Sequence, residues 1–467
     1  MKLHTVDVAV IGAGTAGLTA QRAARKAGAT ALMIDRGPLG TTCARVGCMP
    51  SKLLIAAGEA AHAVHAAGMF GVHAGTPRID GPAVLGRVRS ERDRFVSFVL
   101  ADCERLAAAG ELLAGEARVI APDLLQVGES MQVRFGGLVV ATGTVPAIPA
   151  VFMALPRELL LTNEAVFELA DLPASVLVVG AGPIGLELGQ ALQRLGVRVT
   201  IIGNRGVLGP LRDEAVKGAA YAALRRELEL HTQYILEDIR VGGDGVTMRY
   251  RGDDGALRTG TWERVLVAAG RRSQLHGLGL EHAGVELDAQ GQPRGFDPHT
   301  LRVAETPVFL AGDVSGLRPL LHEASDEGHI AGANAASLPG GVRAQPRRCP
   351  LSVVFTDPQL VVVGDGSTHT RAETHAFGEV DWGRQGRARV LGKNVGLTRV
   401  WATRADGVLR AAEMAGPGAE HMGHLLAWAV QQGLSVERAL EMPFYHPVLE
   451  EGLRTALQGL RAALRGG

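Results

Sequence analysis

Two stretches of this chain spell the same unit. "VDVAVIGAGTAGLTAQRAARKAGATALMID" opens on an apolar strand, Val6 to Ile11, and runs into Gly12, Gly14 and Gly17. An alanine-rich helix follows, then a second strand, Ala31 to Ile34, that ends at Asp35. "SVLVVGAGPIGLELGQALQRLGVRVTIIGNR" repeats the order, with Gly180, Gly182 and Gly185 at the same spacing and Pro183 and Ile184 between them. The first glycine of such a unit makes the turn, the second lets a pyrophosphate approach the backbone, and the third lets the helix pack close. The helix N-terminus then faces the phosphates, and an acid at the end of the second strand accepts the ribose hydroxyls. The glycine spacing alone is weak, and an ordinary βαβ turn is the alternative. Strand, helix and acid together make the pattern specific. Two units predict an α/β fold of two doubly wound Rossmann-type domains, two bound dinucleotides and an electron path between them.

The two copies differ where the second strand ends. The step that reaches Asp35 from Gly12 reaches Gly203 from Gly180, and Arg205 lies two positions on. A missing carboxylate removes the repulsion of a 2′-phosphate, and an arginine can pair with one. Against that, Gly185 in the third glycine position fits NAD, and Arg205 reads equally as a solvated loop residue. The expected nicotinamide cofactor is therefore NAD(P).

Composition narrows the class. The 467 residues are 46% hydrophobic, enough for several buried cores and two to four domains. Lys and Arg number 48, as do Asp and Glu, so no long-range field favours nucleic acid or an anionic membrane. The start shows no charged-then-apolar leader, and no apolar run is read as approaching the ~18 residues of a membrane span. The expectation is a cytoplasmic protein.

Four cysteines, Cys43, Cys48, Cys103 and Cys349, are too few for a disulfide scaffold. Cys103 and Cys349 stand alone and read as small buried hydrophobes. Cys43 and Cys48 stand close together in "GTTCARVGCMPSK", just ahead of a helical stretch with Pro50 in its first turn. A disulfide closing so short a loop supplies only about 2 kcal/mol by chain entropy, a poor staple but a serviceable switch. Cys48 at a helix N-terminus, with Lys52 one turn on, is expected to have its pKa drawn below the usual ~8.5. Thiolate at neutral pH is what exchange with another disulfide needs. A metal site would need further Cys or His ligands nearby, and the sequence offers none.

"GTTCARVGCMPSK" resembles the redox-active segment of the class I flavin-dependent pyridine nucleotide-disulfide oxidoreductases, and the resemblance extends along nearly the whole chain. "VVATGT", with Gly143, and "VAAGRR", with Gly270, look like the turns that follow the family's two nucleotide units. "TPVFLAGDVSG" is similar to its second flavin segment. "VVFTDPQLVVVG" and "MPFYHPVLEEGLRTAL" resemble its dimer-interface domain. Within the family, Pro-Ser-Lys after Cys48 and His-Pro-x-Leu-x-Glu near the C-terminal end look most like the dihydrolipoyl dehydrogenases.

The resemblance implies roles. Cys48 is the thiol next to the flavin ring, Cys43 the interchange thiol, and Lys52 lies near the ring, ion-paired with Glu187. Asp35 holds the adenosine ribose of FAD, Asp313 the ribityl chain, and Ala117 contacts FAD through its backbone. Gly12, Gly14, Gly17, Thr42, Lys52 and Gly143 complete the flavin contacts. Gly180, Gly182, Pro183, Ile184, Gly185, Arg205 and Gly270 belong to the NAD(P) site. His446 with Glu451 is the acid–base pair, reaching the disulfide of the other subunit in a homodimer. No metal is implied.

The C-terminal segment can also be read directly. Pro447 can begin a helix along which Leu449, Leu453, Leu457, Leu460 and Leu464 form one stripe. Glu451 would then stand one turn in, placed to orient His446. Departures from the family pattern are Arg45 in place of asparagine, Thr41 in place of glycine and Gly203 in place of an acid. Arg45 stabilises thiolate, favours an acidic substrate, or simply faces solvent. The segment shows no terminal cysteine pair, which argues against a mercuric reductase.

The expected organisation is an FAD domain (1–149 and 271–343), an NAD(P) domain (150–270) and an α+β interface domain (344–467). The expected function is relay of two electrons between a small-molecule or protein-bound lipoyl dithiol, the Cys43–Cys48 disulfide, FAD and NAD(P). Alternatives are an NADPH-linked reductase of another disulfide or a quinone, and a scaffold subunit of a 2-oxoacid dehydrogenase complex.

Overall fold

The computed structural model describes residues 2–364 and 372–466. The chain divides into two compact units. One comprises Met1–Pro50, Arg89–Ala147 and Arg271–Arg347, the other Ser51–Val88, Ile148–Gly270 and Arg348–Gly467.

The first unit is built on a seven-stranded sheet. Its order runs Leu112–Ala114, Ala31–Asp35, Lys2–Ile11, Met131–Val140, Leu124–Val127, Ala117–Ala121. Met131–Val140 forks. Its first half pairs antiparallel with Leu124–Val127, and its second half pairs parallel with Val308–Leu310, the strand that returns after the long excursion of the chain. Alternate residues of Lys2–Ile11 serve opposite faces. Val8 and Val10 join one apolar core with Ala16, Ala20 and Phe309, and Ala9 and Ile11 join the other with Leu32, Ile34 and Leu138. Burial on both faces explains why the sequence reads as a continuous apolar run. The strand begins at Lys2 rather than Val6, because its first residues pair with Met131–Phe135 while staying solvent-facing.

The helix Thr15–Lys26 lies close against Leu321–Ala336. A Cβ at Gly328 or Gly332 would stand 2.2 Å from the carbonyl oxygen of Ala16 or Ala20, so only glycine permits this approach. Cys103 is buried in the same core, and burial pushes its thiol pKa up, with the negative charge of Asp35 adding to the effect.

Among the described residues the second unit holds three sheets. A parallel one orders Glu229–His231, Arg198–Ile202, Ser175–Val179, Arg264–Val267 and Leu160–Leu161. A three-stranded antiparallel sheet spans Ile235–Gly242, Gly245–Arg251 and Leu257–Trp262. A five-stranded antiparallel sheet orders Leu351–Val354, Gln359–Gly364, Leu409–Gly416, Leu397–Thr403 and His375–Asp381, with the helices Ala419–Gln431 and Glu451–Arg465 in its core. In the sequence only the stretch around Leu351 to Val363 reads as strand ahead of the helices. Leu409–Gly416 escaped because it is buried almost throughout and alanine-rich, so it neither alternates nor carries β-branched residues.

One further expectation needs correction. The last helix begins at Glu451, not at Pro447, though Leu453, Leu457 and Leu460 do form its buried stripe. The helical stretch Thr42–Phe70 is long and apolar enough, by length and composition only, to cross a membrane. Its alanines lift the average although Lys52, Glu59 and His62 interrupt any apolar run.

Candidate functional site

The candidate residues fall into two sets, one in each unit. In the first unit, Gly12 has φ 107°, and a Cβ there would meet the Ala141 carbonyl oxygen at 2.4 Å. A Cβ on Gly17 would stand 1.8 Å from the Gly12 oxygen. Gly14 differs: a Cβ there would meet nothing within 4 Å. Its smallness serves no contact within the protein and leaves the space above the helix start open. Gly14 caps Thr15–Lys26 with no side-chain cap and no acid in the first turn. The first N–H groups and the positive end of the helix dipole are therefore available to an anion. Asp35 ends its strand with Oδ2 accepting from the Ala13 N–H (2.6 Å) and Oδ1 from the Gly37 N–H (2.6 Å). This holds the carboxylate beside the glycine turn with lone pairs remaining for hydroxyls.

Ala117 is buried at the start of its strand. Gly143 has φ 66° with open space where a Cβ would be. Asp313 follows the return strand, and its Oδ2 accepts from Thr144 Oγ1 at 3.3 Å. Burial pushes its carboxyl pKa up, against the pull of the Arg271 charge and the Thr144 hydroxyl.

Sequence reasoning missed what braces this turn. Glu327, fully buried, accepts from the Gly312 N–H (2.8 Å) and Ser315 Oγ (3.0 Å), and its other oxygen meets Arg347 Nη2 at 2.7 Å. Arg347 also pairs with buried Glu323 at 2.7 Å, and Arg318 meets Glu323 at 3.0 Å. Burial raises the Glu327 pKa, whereas at Glu323 the burial effect is outweighed by Arg347 and Arg318 and its pKa is lowered. The available signal was two acids four apart, on one face of a helix rich in alanine and glycine.

The cysteines sit on consecutive helices. Thr42–Val46 carries Cys43, half-buried, and exposed Cys48 is the first residue of Cys48–Ala66. Gly47 joins them: a Cβ there would stand 2.9 Å from the Thr42 carbonyl oxygen and 3.2 Å from Cys43 Cα, so the loop is drawn tight. Thr42 is exposed at the first helical position. Thr41 caps that helix, its hydroxyl accepting from the Ala44 N–H, and holds φ 59°, a region that favours glycine. Arg45 does not simply face solvent. It is half-buried, and its Nε is buried with no hydrogen-bond partner among the described residues.

In the second unit the glycine turn recurs. Gly180 has φ 121°, a Gly185 Cβ would stand 1.9 Å from the Gly180 oxygen, and a Gly182 Cβ would again meet nothing within 4 Å. Pro183 and Ile184 open the helix Pro183–Arg194, which has no side-chain cap and no acid in its first turn. Gly270 has φ 112° and open space beside it. Arg205 is exposed. Both glycine turns thus fit a dinucleotide pyrophosphate. Lys52 Nζ meets Glu187 Oε2 at 2.7 Å and lies over the Phe355 ring, 4.6 Å from its centroid.

At the C-terminal end His446 is 80% exposed, and its Nδ1 lies 2.9 Å from Glu451 Oε1. Glu451 Oε2 accepts from the Val448 N–H at 3.2 Å. One carboxylate thereby ties the His446–Val448 turn to the helix start, which is why the helix opens at Glu451. The His446 hydrogen bond, then the Val448 N–H, hold the Glu451 pKa below its usual 4.5. Among the described residues no group of three or more His, Cys, Asp or Glu could hold a metal ion.

Two dinucleotide turns, each after a parallel strand of its own sheet, and a pair of neighbouring cysteines define a two-dinucleotide redox enzyme. The chain belongs to the pyridine nucleotide-disulphide oxidoreductase family: the family model matches residues 6–328, and that of the family's dimerisation domain matches 351–457. The family is FAD-dependent and binds NAD(P). The chain is 31% identical to a mercuric reductase of Streptomyces lividans, over 98% of this chain and 97% of the relative. It is 30% identical to a dihydrolipoyl dehydrogenase of Thermus scotoductus, over 98% of each. Among solved structures, LpdA of Mycobacterium tuberculosis matches with a TM-score of 0.81 at 24% identity, covering 97% of this chain and 99% of that one. The HOCl-induced flavoprotein disulfide reductase RclA of Escherichia coli, as its Cu(II) complex, matches at 0.80 and 20%, with the same coverage. These structural likenesses speak to the fold alone.

Proposed function

We propose that the chain is an FAD-dependent dithiol–disulfide oxidoreductase of the dihydrolipoyl dehydrogenase type, working in the cytoplasm as a homodimer. The tight cysteine loop carries this reading: Gly47 is packed on Thr42 and Cys43, and Cys48 opens a long helix. Such a loop suits a disulfide that forms and opens in turnover, with the helix N-terminus favouring thiolate at Cys48.

One substrate thiolate attacks Cys43 Sγ, and Cys48 leaves as thiolate. The second substrate thiol then attacks its own mixed-disulfide sulfur and expels Cys43. The substrate departs as a disulfide, having lost two electrons and two protons, and Cys43 and Cys48 hold the electron pair. His446 of the partner subunit accepts a proton from the attacking thiol, kept in orientation by its Glu451. Bound FAD would supply the two-electron acceptor for this dithiol and the hydride donor for NAD(P)+. Gly12, Gly14, Gly17 and Asp35 would hold its pyrophosphate and adenosine ribose, with Thr42, Ala117, Gly143 and Asp313 along the remainder. Gly180, Gly182, Pro183, Ile184, Gly185 and Gly270 would hold the nicotinamide dinucleotide. Domains of 1–149 with 271–343, 150–270 and 344–467 would divide these tasks. Protein-bound lipoyl groups make a 2-oxoacid dehydrogenase complex the natural partner.

Gly203 favours a second reading, an NADPH-linked reductase of another disulfide or a quinone. Steady-state turnover of lipoamide, mercuric ion and quinone with NADH and with NADPH separates the two. Lipoamide turnover supports the first reading. NADPH-only activity without lipoamide supports the second. No turnover of any substrate by yellow protein contradicts both.

A further inference from the structure

The strand Arg198–Ile202 ends on a tightly packed glycine rather than an acid. The buried Gly203 donates its N–H to the His231 carbonyl at 2.6 Å. A Cβ at this position would stand 2.9 Å from the Ala181 Cβ and 3.1 Å from the Thr232 carbonyl oxygen. A longer side chain would have to displace Ala181, the residue between Gly180 and Gly182. The site therefore presents no carboxylate to accept both ribose hydroxyls, and none to repel a 2′-phosphate.

Beyond Gly203 the chain bends. Val207 donates to the Asn204 carbonyl at 3.2 Å, and Gly206 to the Thr232 carbonyl at 3.2 Å. Asn204 and Arg205 are both exposed on the bend, and Arg205 holds φ 57°, a conformation that side chains rarely adopt. The neighbouring acid, Asp253, is already engaged. It accepts from the Gln233 N–H (2.6 Å), the Thr232 N–H (3.1 Å) and the Tyr221 hydroxyl (2.5 Å). The bend therefore offers a guanidinium and an amide where the ribose edge of a dinucleotide on Pro183–Arg194 would lie.

We propose that this site selects NADP(H) over NAD(H), with Arg205 pairing the 2′-phosphate and Asn204 hydrogen-bonding beside it. The inference rests on the reading that the second glycine turn holds the nicotinamide dinucleotide.

Equilibrium binding to the purified FAD-loaded protein tests it, using 2′,5′-ADP and 5′-AMP as probes alongside NADP+ and NAD+ in calorimetry. The 2′-phosphorylated probe is expected to bind roughly tenfold or more tightly than 5′-AMP, a gap that narrows with salt. Arg205→Gln should close the gap, chiefly by weakening 2′,5′-ADP. Arg205→Gly removes the cation and relaxes the backbone, so it separates loss of the guanidinium from a disturbed bend, and it should close the gap too. The double variant Ala181→Gly/Gly203→Glu should reverse the preference. Equal affinities, or a gap that survives both Arg205 variants, overturn the proposal. These adenylate probes are not redox-active, so failure to oxidise lipoamide leaves the outcome intact. Failure of both probes to bind would overturn the nucleotide-site reading and this proposal with it.

Discussion

Lys52 Nζ donates to Glu187 Oε2 at 2.7 Å, while the other oxygen of Glu187 accepts the Phe355 N–H at 2.9 Å. Glu187 is only 6% exposed, whereas the Lys52 side chain keeps 32% of its surface. A buried carboxylate needs both partners, and removal of its charge strands the ammonium. Glu187→Gln preserves shape and the Phe355 contact. It should lower stability by about 1–2 kcal/mol, discounted for the exposure of Lys52. The check is the urea midpoint at constant slope, and an unchanged midpoint would show that the pair contributes nothing net.

Gly47→Ala places a methyl group 2.9 Å from a backbone oxygen, which has no flexible end to swing away. Overpacking of this kind costs about 1–3 kcal/mol. If the tight loop is what makes the cysteines form a disulfide, the equilibrium with dithiothreitol should shift toward thiols by roughly fivefold or more. Quenched thiol titration across a redox buffer series measures it.

His446 owes its orientation to Glu451. Glu451→Gln should slow disulfide reduction by roughly one to two orders of magnitude, with flavin content unchanged. The pH dependence has a defined sign. The Glu451 carboxyl is held below 4.5 in the folded chain, first by His446 and then by the Val448 N–H. Its stabilising contribution is therefore fully present above pH 4.5 and is lost as pH falls through the lower folded value. Acid-unfolding curves of the two proteins should converge below that point, and a difference that persists at the lowest pH would contradict the pairing.

Arg347 bridges two buried glutamates, one of which braces the turn bearing Asp313. Arg347→Gln leaves Glu327 buried without its cation, a costly arrangement. The expected result is weaker flavin retention, read as the fraction of FAD lost on gel filtration in dilute urea. Retention equal to wild type would mean that the brace does not act on the turn.

The two glycine turns and the cysteine loop were legible because each is a local pattern whose spacing is dictated by backbone geometry. The His446–Glu451 contact was legible for the same reason, although the helix start was misplaced by four residues: the carboxylate caps the turn that Pro447 was expected to open. The Glu323–Arg347–Glu327 cluster was not. Its members look like an ordinary charged helix face and a loop arginine until the return strand Val308–Leu310 draws them inside. The alanine-rich strand Leu409–Gly416 was lost for a related reason, since burial on both sides erases the alternation that marks a strand.

The most direct measurement is a count of reactive thiols in denatured protein, before and after anaerobic treatment of the native yellow enzyme with one equivalent of a two-electron reductant. The count is expected to rise by two in the wild type and not at all in a Cys48→Ser variant that still binds FAD. An unchanged count in the wild type would mean that Cys43 and Cys48 do not form a reversible disulfide.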